Sequence, residues 1–134
     1  MTGSPKRNAS TMPLLPTEVV WTQPAPLSRA QLLAKLKQRL RARAREAYLF
    51  GSYARDQASA DSDVDLIIVA DSTRSFPDRF RDFVGLGDGL PPMDLLIYTP
   101  AEWRKLRAQP PPLLRVAMAE WIALGSRRPG QQPF

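Results

Sequence analysis

The chain has 134 residues and contains neither cysteine nor histidine. This inventory excludes disulfides, thiol nucleophiles, histidine-based zinc sites and histidine general bases, so any catalysis must rely on carboxylates, hydroxyls, cations or a bound metal ion. A hydrophobic fraction of 43% is sufficient for a core, and the length corresponds to about one domain. Because we find neither a secretory signal nor an apolar run long enough to span a bilayer, we expect a soluble, cytoplasmic protein without a membrane partner.

The net charge of +6 is divided unevenly along the chain. Residues 1–60 carry ten basic and three acidic side chains, a balance of +7, whereas residues 61–134 carry nine and ten, a balance of −1. Seven of the basic residues lie between Arg29 and Arg45. The ordinary interpretation of this segment is an amphipathic helix whose cations face water. The alternative is contact with an acidic partner or a nucleic acid.

The first predicted elements are an arm and a helix. Residues 1–26 hold five of the 14 prolines and show no apolar period, so we expect a flexible N-terminal arm. A helix is predicted over residues 27–45, because Ser28 and Gln31 can form a capping box and leucines then recur on one face.

Strands and helices alternate in the rest of the chain, which indicates a single α/β domain over residues 27–125. We predict strands at 48–50, 63–70 and 93–98, the start of a helix at 53–57, a short helix that begins at Pro77, and helices at 100–109 and 113–124. Gly125 would cap the last helix, and residues 126–134 would form a flexible tail. Trp103 and Trp121 fall on amphipathic helices and are expected to pack in the core or at an interface.

Two aspartates on the second predicted strand point to a metal site. Asp63 and Asp65 are two residues apart, so their carboxylates project to the same side, roughly 6–7 Å apart at the backbone. Such like charges repel unless a cation lies between them, and hard oxygen ligands suit Mg²⁺ or Mn²⁺. The preceding turn at Gly51 and Ser52 can hold phosphate oxygens through its N–H groups and hydroxyl. Asp94 would join the same site if its strand is a neighbour.

These residues resemble the signature of minimal nucleotidyltransferases in the DNA polymerase beta superfamily. In that signature a Gly-Ser pair is followed, after ten residues, by Asp-x-Asp. Residues 53–62 supply this spacing between the Gly51-Ser52 pair and Asp63, and Asp94 matches the third carboxylate of the family. The resemblance covers about residues 28–125. It implies an α/β (α+β) fold with a small mixed sheet flanked by helices.

The resemblance also implies an activity, which is transfer of a nucleoside monophosphate from ATP or another nucleoside triphosphate to a hydroxyl. Asp63 and Asp65 would hold two metal ions, and Asp94 would ligate the catalytic metal and help to deprotonate the attacking hydroxyl. Gly51 and Ser52 would hold the outer phosphates.

Arg55 has two interpretations. It could bind the nucleotide and neutralise charge that develops during the reaction, or it could be a surface arginine paired with Asp56 or Asp61. Asp56 itself departs from the pattern, since the family often has glycine after this arginine, and the departure bears on the shape of the loop.

Several acceptors and roles stay open. Small members of the family are often antitoxins that nucleotidylate a HEPN-type toxin, which makes such a toxin the expected partner. The alternatives are transfer to a small hydroxylated compound such as an aminoglycoside, a non-catalytic module that neutralises a toxin by covering it, and a nucleic-acid binder that uses the Arg-rich helix.

Overall fold

The computed structural model describes residues 27–126. Its elements are α1 (Arg29–Leu40), β1 (Glu46–Phe50), β2 (Val64–Val69), a 3₁₀ helix (Phe76–Phe83), β3 (Met93–Tyr98), α2 (Pro100–Ala108), α3 (Pro112–Glu120) and β4 (Ile122–Ser126). The arm expected at residues 1–26 and residues 127–134 of the expected tail lie outside the described residues. No helix within residues 27–126 combines the length and hydropathy that a bilayer crossing requires.

Helix α1 begins as its sequence predicts. The Ser28 hydroxyl accepts a hydrogen bond from the Gln31 N–H at 3.1 Å, and the Gln31 side chain accepts one from the Ser28 N–H at 2.9 Å. The helix ends at Leu40, however, and not at residue 45. Because β1 already begins at Glu46, residues 41–45 form the turn between the two elements.

The four strands form one mixed sheet in the order β3-β2-β1-β4. Strand β1 runs antiparallel to both of its neighbours, and β2 pairs with β3 in parallel. This architecture confirms the small mixed sheet flanked by helices. Side chains of β2 alternate as expected, because Val64 and Leu66 pack in the core cluster under α1 while Ile67 and Val69 pack in the cluster on the opposite face.

The last predicted helix is too long. Helix α3 ends at Glu120, Trp121 is extended with φ −68° and ψ 159°, and the chain continues as β4. Strand β4 pairs antiparallel with β1, so Gly125 lies within a strand and does not cap a helix. The segment forms a strand because of its pairing with β1, which is distant in the sequence. Without β4, the backbone groups along this edge of the buried β1 would lack hydrogen-bond partners.

The helix predicted from Pro77 is a 3₁₀ helix that begins at Phe76. A 3₁₀ helix has three residues per turn, so Pro77, Phe80 and Phe83 share one face. Phe83 is buried and Phe80 is 54% exposed. The short element therefore presents a continuous apolar stripe that runs from the core to the surface.

Both tryptophans pack against Tyr48. Trp103 is 4% exposed and belongs to the cluster opposite α1, and the rings of Tyr48 and Trp121 stack with their centroids 4.0 Å apart. This agrees with the expectation that the two residues are structural.

Arginines of the basic segment bind specific acceptors. Arg39 donates to the carbonyls of Leu86 and Asp88 at 2.8 and 2.7 Å, and Arg43 donates to that of Val84 at 3.0 Å. These bonds join the loop after the 3₁₀ helix to α1 and to the turn that follows it. The segment is therefore more than a set of cations that face water.

A buried arginine joins the 3₁₀ helix to β3 and α2. Arg79 is 6% exposed, and its guanidinium donates to both carboxylate oxygens of Glu102 and to the Ile97 carbonyl. Glu102 also accepts a hydrogen bond from the Thr99 N–H at 2.9 Å in the capping box of α2. The hydrogen bond with Arg79, followed by that with Thr99, lowers the pKa of Glu102 to about 2.

We predict that Glu102→Gln destabilises the fold in a pH-dependent way. The pKa of Glu102 lies below its ordinary value of 4.5, so the unfolded chain binds the proton more readily than the folded one. The stabilisation is complete above about pH 4.5 and is lost as the pH falls toward 2. Because the Glu102 side chain is 44% exposed, we expect a loss of roughly 1–2 kcal/mol at pH 7, less than for a fully buried pair.

Urea unfolding of the wild type and the variant at pH 7 and pH 2.5 measures this difference. Asp78→Asn is the matched control, because Asp78 is an exposed carboxylate that pairs with Arg81 at 3.9 Å and accepts a hydrogen bond from the Ser75 hydroxyl at 3.1 Å, both at the surface. An equal destabilisation by Glu102→Gln at both pH values would contradict the assignment.

Candidate functional site

The Gly51-Ser52 turn lies directly against the Asp65 carboxylate. Gly51 has φ 77°, which is a region that favours glycine. A Cβ placed on Gly51 would lie 3.2 Å from Asp65 Cγ and inside the van der Waals distance of Asp65 Oδ2. Both the backbone conformation and the close approach therefore require glycine. The turn and the strand that carries the acids are thus in contact.

The turn after Ser52 is held by its own backbone and by α1. The Arg55 N–H donates to the Gly51 carbonyl at 3.1 Å, and the Gln57 N–H donates to the Ser52 carbonyl at 2.8 Å. No regular helix follows at residues 53–57, contrary to the prediction. From α1, Arg29 donates to the Tyr53 and Ala54 carbonyls at 3.0 and 2.6 Å. Nothing in the local sequence pattern indicates this last contact.

Asp56, which stands where the resemblance leads us to expect glycine, has a positive φ. Its φ is 57°, in the left-handed region that aspartate tolerates better than most residues with a Cβ. The departure from the family pattern is therefore compatible with the loop that the turn requires.

The parallel pairing of β2 and β3 sets two of the predicted acids side by side. Asp65 is opposite Asp94 in the register, so Asp94 does lie on a neighbouring strand. Burial raises the pKa of Asp65, and the charges of Asp94 and Asp63 and a hydrogen bond with Asp94 raise it further, while the Arg55 charge opposes the change. Asp63 immediately precedes β2 and is exposed. The structure therefore sets Asp94 opposite Asp65, and the charges of both Asp94 and Asp63 act on Asp65.

The donor set fits a divalent cation in its chemistry. All three side chains offer hard carboxylate oxygens, which Mg²⁺ and Mn²⁺ prefer, and the clustered charge that raises the pKa of Asp65 favours a bound cation. Within residues 27–126, however, no three carboxylate side chains are placed so that together they could hold a metal ion. Asp65 and Asp94 stand opposite each other on neighbouring strands, and the charge of Asp63 acts on Asp65.

Arg55 is held beside these acids by a residue that sequence analysis missed. Its Nη1 donates to Glu120 Oε2 at 2.6 Å and its Nε donates to Gln57 Oε1 at 3.1 Å. The salt bridge is thus with Glu120, and not with Asp56 or Asp61 as the surface interpretation expected. Glu120 is 65 residues away in sequence, at the end of α3. Its side chain is only 25% exposed.

Comparisons with solved structures find the same fold. A toxin–antitoxin complex with AMP-PNP is 23% identical, with a TM-score of 0.53 over 72% of this chain and 75% of that chain. A Sulfolobus solfataricus protein described as a nucleotidyltransferase is 18% identical, with a TM-score of 0.50 over 78% of this chain and 87% of its own. A mutant of the toxin–antitoxin pair MntA-HpeT is 19% identical, with a TM-score of 0.50 over 77% of each chain. At these identities the likeness concerns the fold.

A search of curated proteins finds no match to the chain. The family model of the nucleotidyltransferase domain matches residues 29–120, which include the glycine turn, the three aspartates and Arg55. On this match, together with the sheet and turn described above, the chain belongs to the nucleotidyltransferase domain family.

Proposed function

We propose that this protein transfers a nucleoside monophosphate from a nucleoside triphosphate, ATP first among them, to a hydroxyl on a protein partner. The observation that carries the proposal is the placement of Asp65 beside Asp94 and against the Gly51 turn. This arrangement sets a cluster of carboxylates next to a turn whose backbone can approach phosphate oxygens.

In the proposed reaction the hydroxyl oxygen bonds to the α-phosphorus, and the bond from that phosphorus to the oxygen bridging the β-phosphate breaks. Pyrophosphate leaves, and the hydroxyl proton passes to the Asp94 carboxylate. A divalent cation such as Mg²⁺ or Mn²⁺, held by Asp63, Asp65 and Asp94, would supply charge neutralisation at the phosphates. Ser52 donates to the outer phosphates, and Arg55 stabilises the charge that develops.

The partner we propose is a HEPN-type toxin, which would make this protein its antitoxin. Two structures of the same fold are toxin–antitoxin complexes, and one of them is a complex with AMP-PNP. These likenesses support a nucleotide and a protein partner for this chain as well. The acceptor is then a hydroxyl on the toxin.

We predict that Asp63→Asn/Asp65→Asn reduces label transfer from α-labelled ATP by about 100-fold or more, because the phosphates lose the charge that these carboxylates would hold in place. The assay contains Mg²⁺ and a candidate HEPN protein, and it follows label on that protein. Asp61→Asn is the matched control, since it removes a nearby exposed carboxylate outside the proposed set. Transfer by the double variant at the wild-type rate would remove these acids from the mechanism.

We predict that Gly51→Ala reduces transfer by about 100-fold, because its Cβ would displace Asp65 and misplace the phosphates. Gly89→Ala is the matched control. Gly89 has a similar φ of 73° but meets no atom within 4 Å, so it reproduces the backbone strain without the collision. Thermal unfolding of both variants shows whether a loss of activity comes from backbone strain that destabilises the fold or from displacement of Asp65 in the site. Equal activity of the two variants would contradict the proposed contact between turn and acid.

Glu120 should act as a positioning residue for Arg55. We expect Glu120→Ala to lower kcat by about threefold to tenfold with little change in the KM for ATP, because the guanidinium loses its anchor but keeps its charge. Arg55→Ala should lower kcat further.

A double-mutant cycle tests this dependence. Adding Glu120→Ala to Arg55→Ala should cause no additional loss, while Asp71→Asn, which breaks the exposed Arg45 pair, should leave kcat unchanged. Additive losses from the two site variants would show that Glu120 does not act through Arg55.

A further inference from the structure

Arg29 occupies a position at which a cation does not stabilise its own helix. It is the first residue of α1, and the first turn of this helix contains no acidic side chain. The N-terminus of a helix carries the positive end of the helix dipole, so a positive charge there is unfavourable. Lys37 and Arg39, by contrast, lie in the last turn, where the dipole favours cations. The helix itself therefore gives no reason for an arginine at residue 29.

The partners of Arg29 are two carbonyls in the turn that follows Ser52. Its Nε donates to the Tyr53 carbonyl at 3.0 Å, and its Nη2 donates to the Ala54 carbonyl at 2.6 Å. Both bonds are partly buried, and a planar guanidinium that binds two carbonyls at once fixes their relative direction. The two carbonyls lie between Ser52 and Arg55, the residues to which we assign the outer phosphates and the developing charge. Arg29 therefore binds the middle of the proposed phosphate turn.

The backbone of this turn is bonded on one side only. Four successive carbonyls, those of residues 51–54, accept hydrogen bonds from within the protein. The N–H groups of Ser52, Tyr53 and Ala54 donate to no other residue in the described range 27–126. A carbonyl and the N–H of the next residue point to opposite sides of a trans peptide unit. The bonds that hold the carbonyls thus also fix the direction of three N–H donors that phosphate oxygens could use.

We infer that Arg29 is a positioning residue for the triphosphate, because its bonds to the Tyr53 and Ala54 carbonyls hold the turn in the conformation that binds the outer phosphates. The inference rests on the proposed function and adds a residue that acts on ATP affinity through the turn. The turn includes positive φ values at Gly51 and Asp56, of 77° and 57°, which a free chain adopts only part of the time. Holding this conformation before ATP arrives removes the cost of ordering it from the binding step.

Binding of ATP and of AMP to the full chain in the presence of Mg²⁺ tests the inference. AMP shares the adenosine and the α-phosphate of ATP but lacks the outer phosphates, so a turn that holds those phosphates should affect ATP alone. We expect Arg29→Ala to weaken ATP binding by about tenfold and AMP binding by less than about twofold. A variant that only loses part of its folded population would lose the same fraction of its affinity for both nucleotides.

Arg39→Ala is the matched control. Arg39 also lies on α1 and also donates to two loop carbonyls, those of Leu86 and Asp88, at 2.8 and 2.7 Å. Its loop carries none of the residues that we assign to the reaction. We expect this variant to bind both nucleotides within about twofold of the wild type. Thermal unfolding of the two alanine variants shows whether they lose a similar amount of stability.

Arg29→Lys distinguishes the position of the turn from the charge of the side chain. This variant keeps the positive charge but replaces the planar pair of donors with a single ammonium group. We expect it to weaken ATP binding by about threefold or more, and it carries the test if Arg29→Ala does not fold. Full ATP affinity in Arg29→Lys would show that the charge alone attracts the triphosphate, and the role through the turn would be wrong.

The outcomes separate this inference from the proposed function. If Arg29→Ala binds ATP as the wild type does, or loses equal affinity for ATP and AMP, the inference is overturned and nucleotidyl transfer stands. An equal loss of ATP affinity in Arg39→Ala has the same meaning, since it would assign the effect to the stability of the fold. If the wild type binds no ATP in the presence of Mg²⁺, the proposed function fails and the inference fails with it.

Discussion

The parallel pairing of β2 with β3 is the constraint on which the site depends, because it sets Asp65 opposite Asp94. Two neighbouring carboxylates repel each other, and after burial, which is the larger cause, the charge of Asp94 raises the pKa of Asp65. The apolar residues of β2 enforce the register, with Leu66 and Ile68 buried on one face and Ile67 and Val69 on the other. A slip by one residue would exchange these faces. The stability of the core thus offsets the repulsion at the site.

Arginine side chains bind the backbone carbonyls of loops outside the sheet. Arg29 binds the turn after Ser52 through two carbonyls, and Arg39 binds the loop after the 3₁₀ helix in the same way. A planar guanidinium with several donors is suited to bind two carbonyls at once. Much of the positive charge of this small protein therefore has a structural role. This use weakens the interpretation of the basic segment as a nucleic-acid surface.

Local patterns predicted the elements that carry their own signals. The alternation of β2, the capping box at Ser28 and the spacing from Gly51 to Asp63 follow from neighbouring residues alone. Strand β4 and the salt bridge of Arg55 with Glu120 do not, since each depends on a partner that is distant in the sequence. The apolar run at residues 122–124 suits a helix or a strand equally, and only the free edge of β1 decides between them.

The two sides of the candidate site differ in how many contacts the chain makes around them. On the side of the glycine turn, Gly51 contacts Asp65 and Arg55 forms a salt bridge with Glu120, so three separate parts of the chain meet there. On the other side, β3 is an edge strand, and Phe80 and Val84 beside it are exposed. The charged side of the candidate site is therefore held by contacts within the chain, whereas the outer edge of β3 has no further strand beside it in the described sheet.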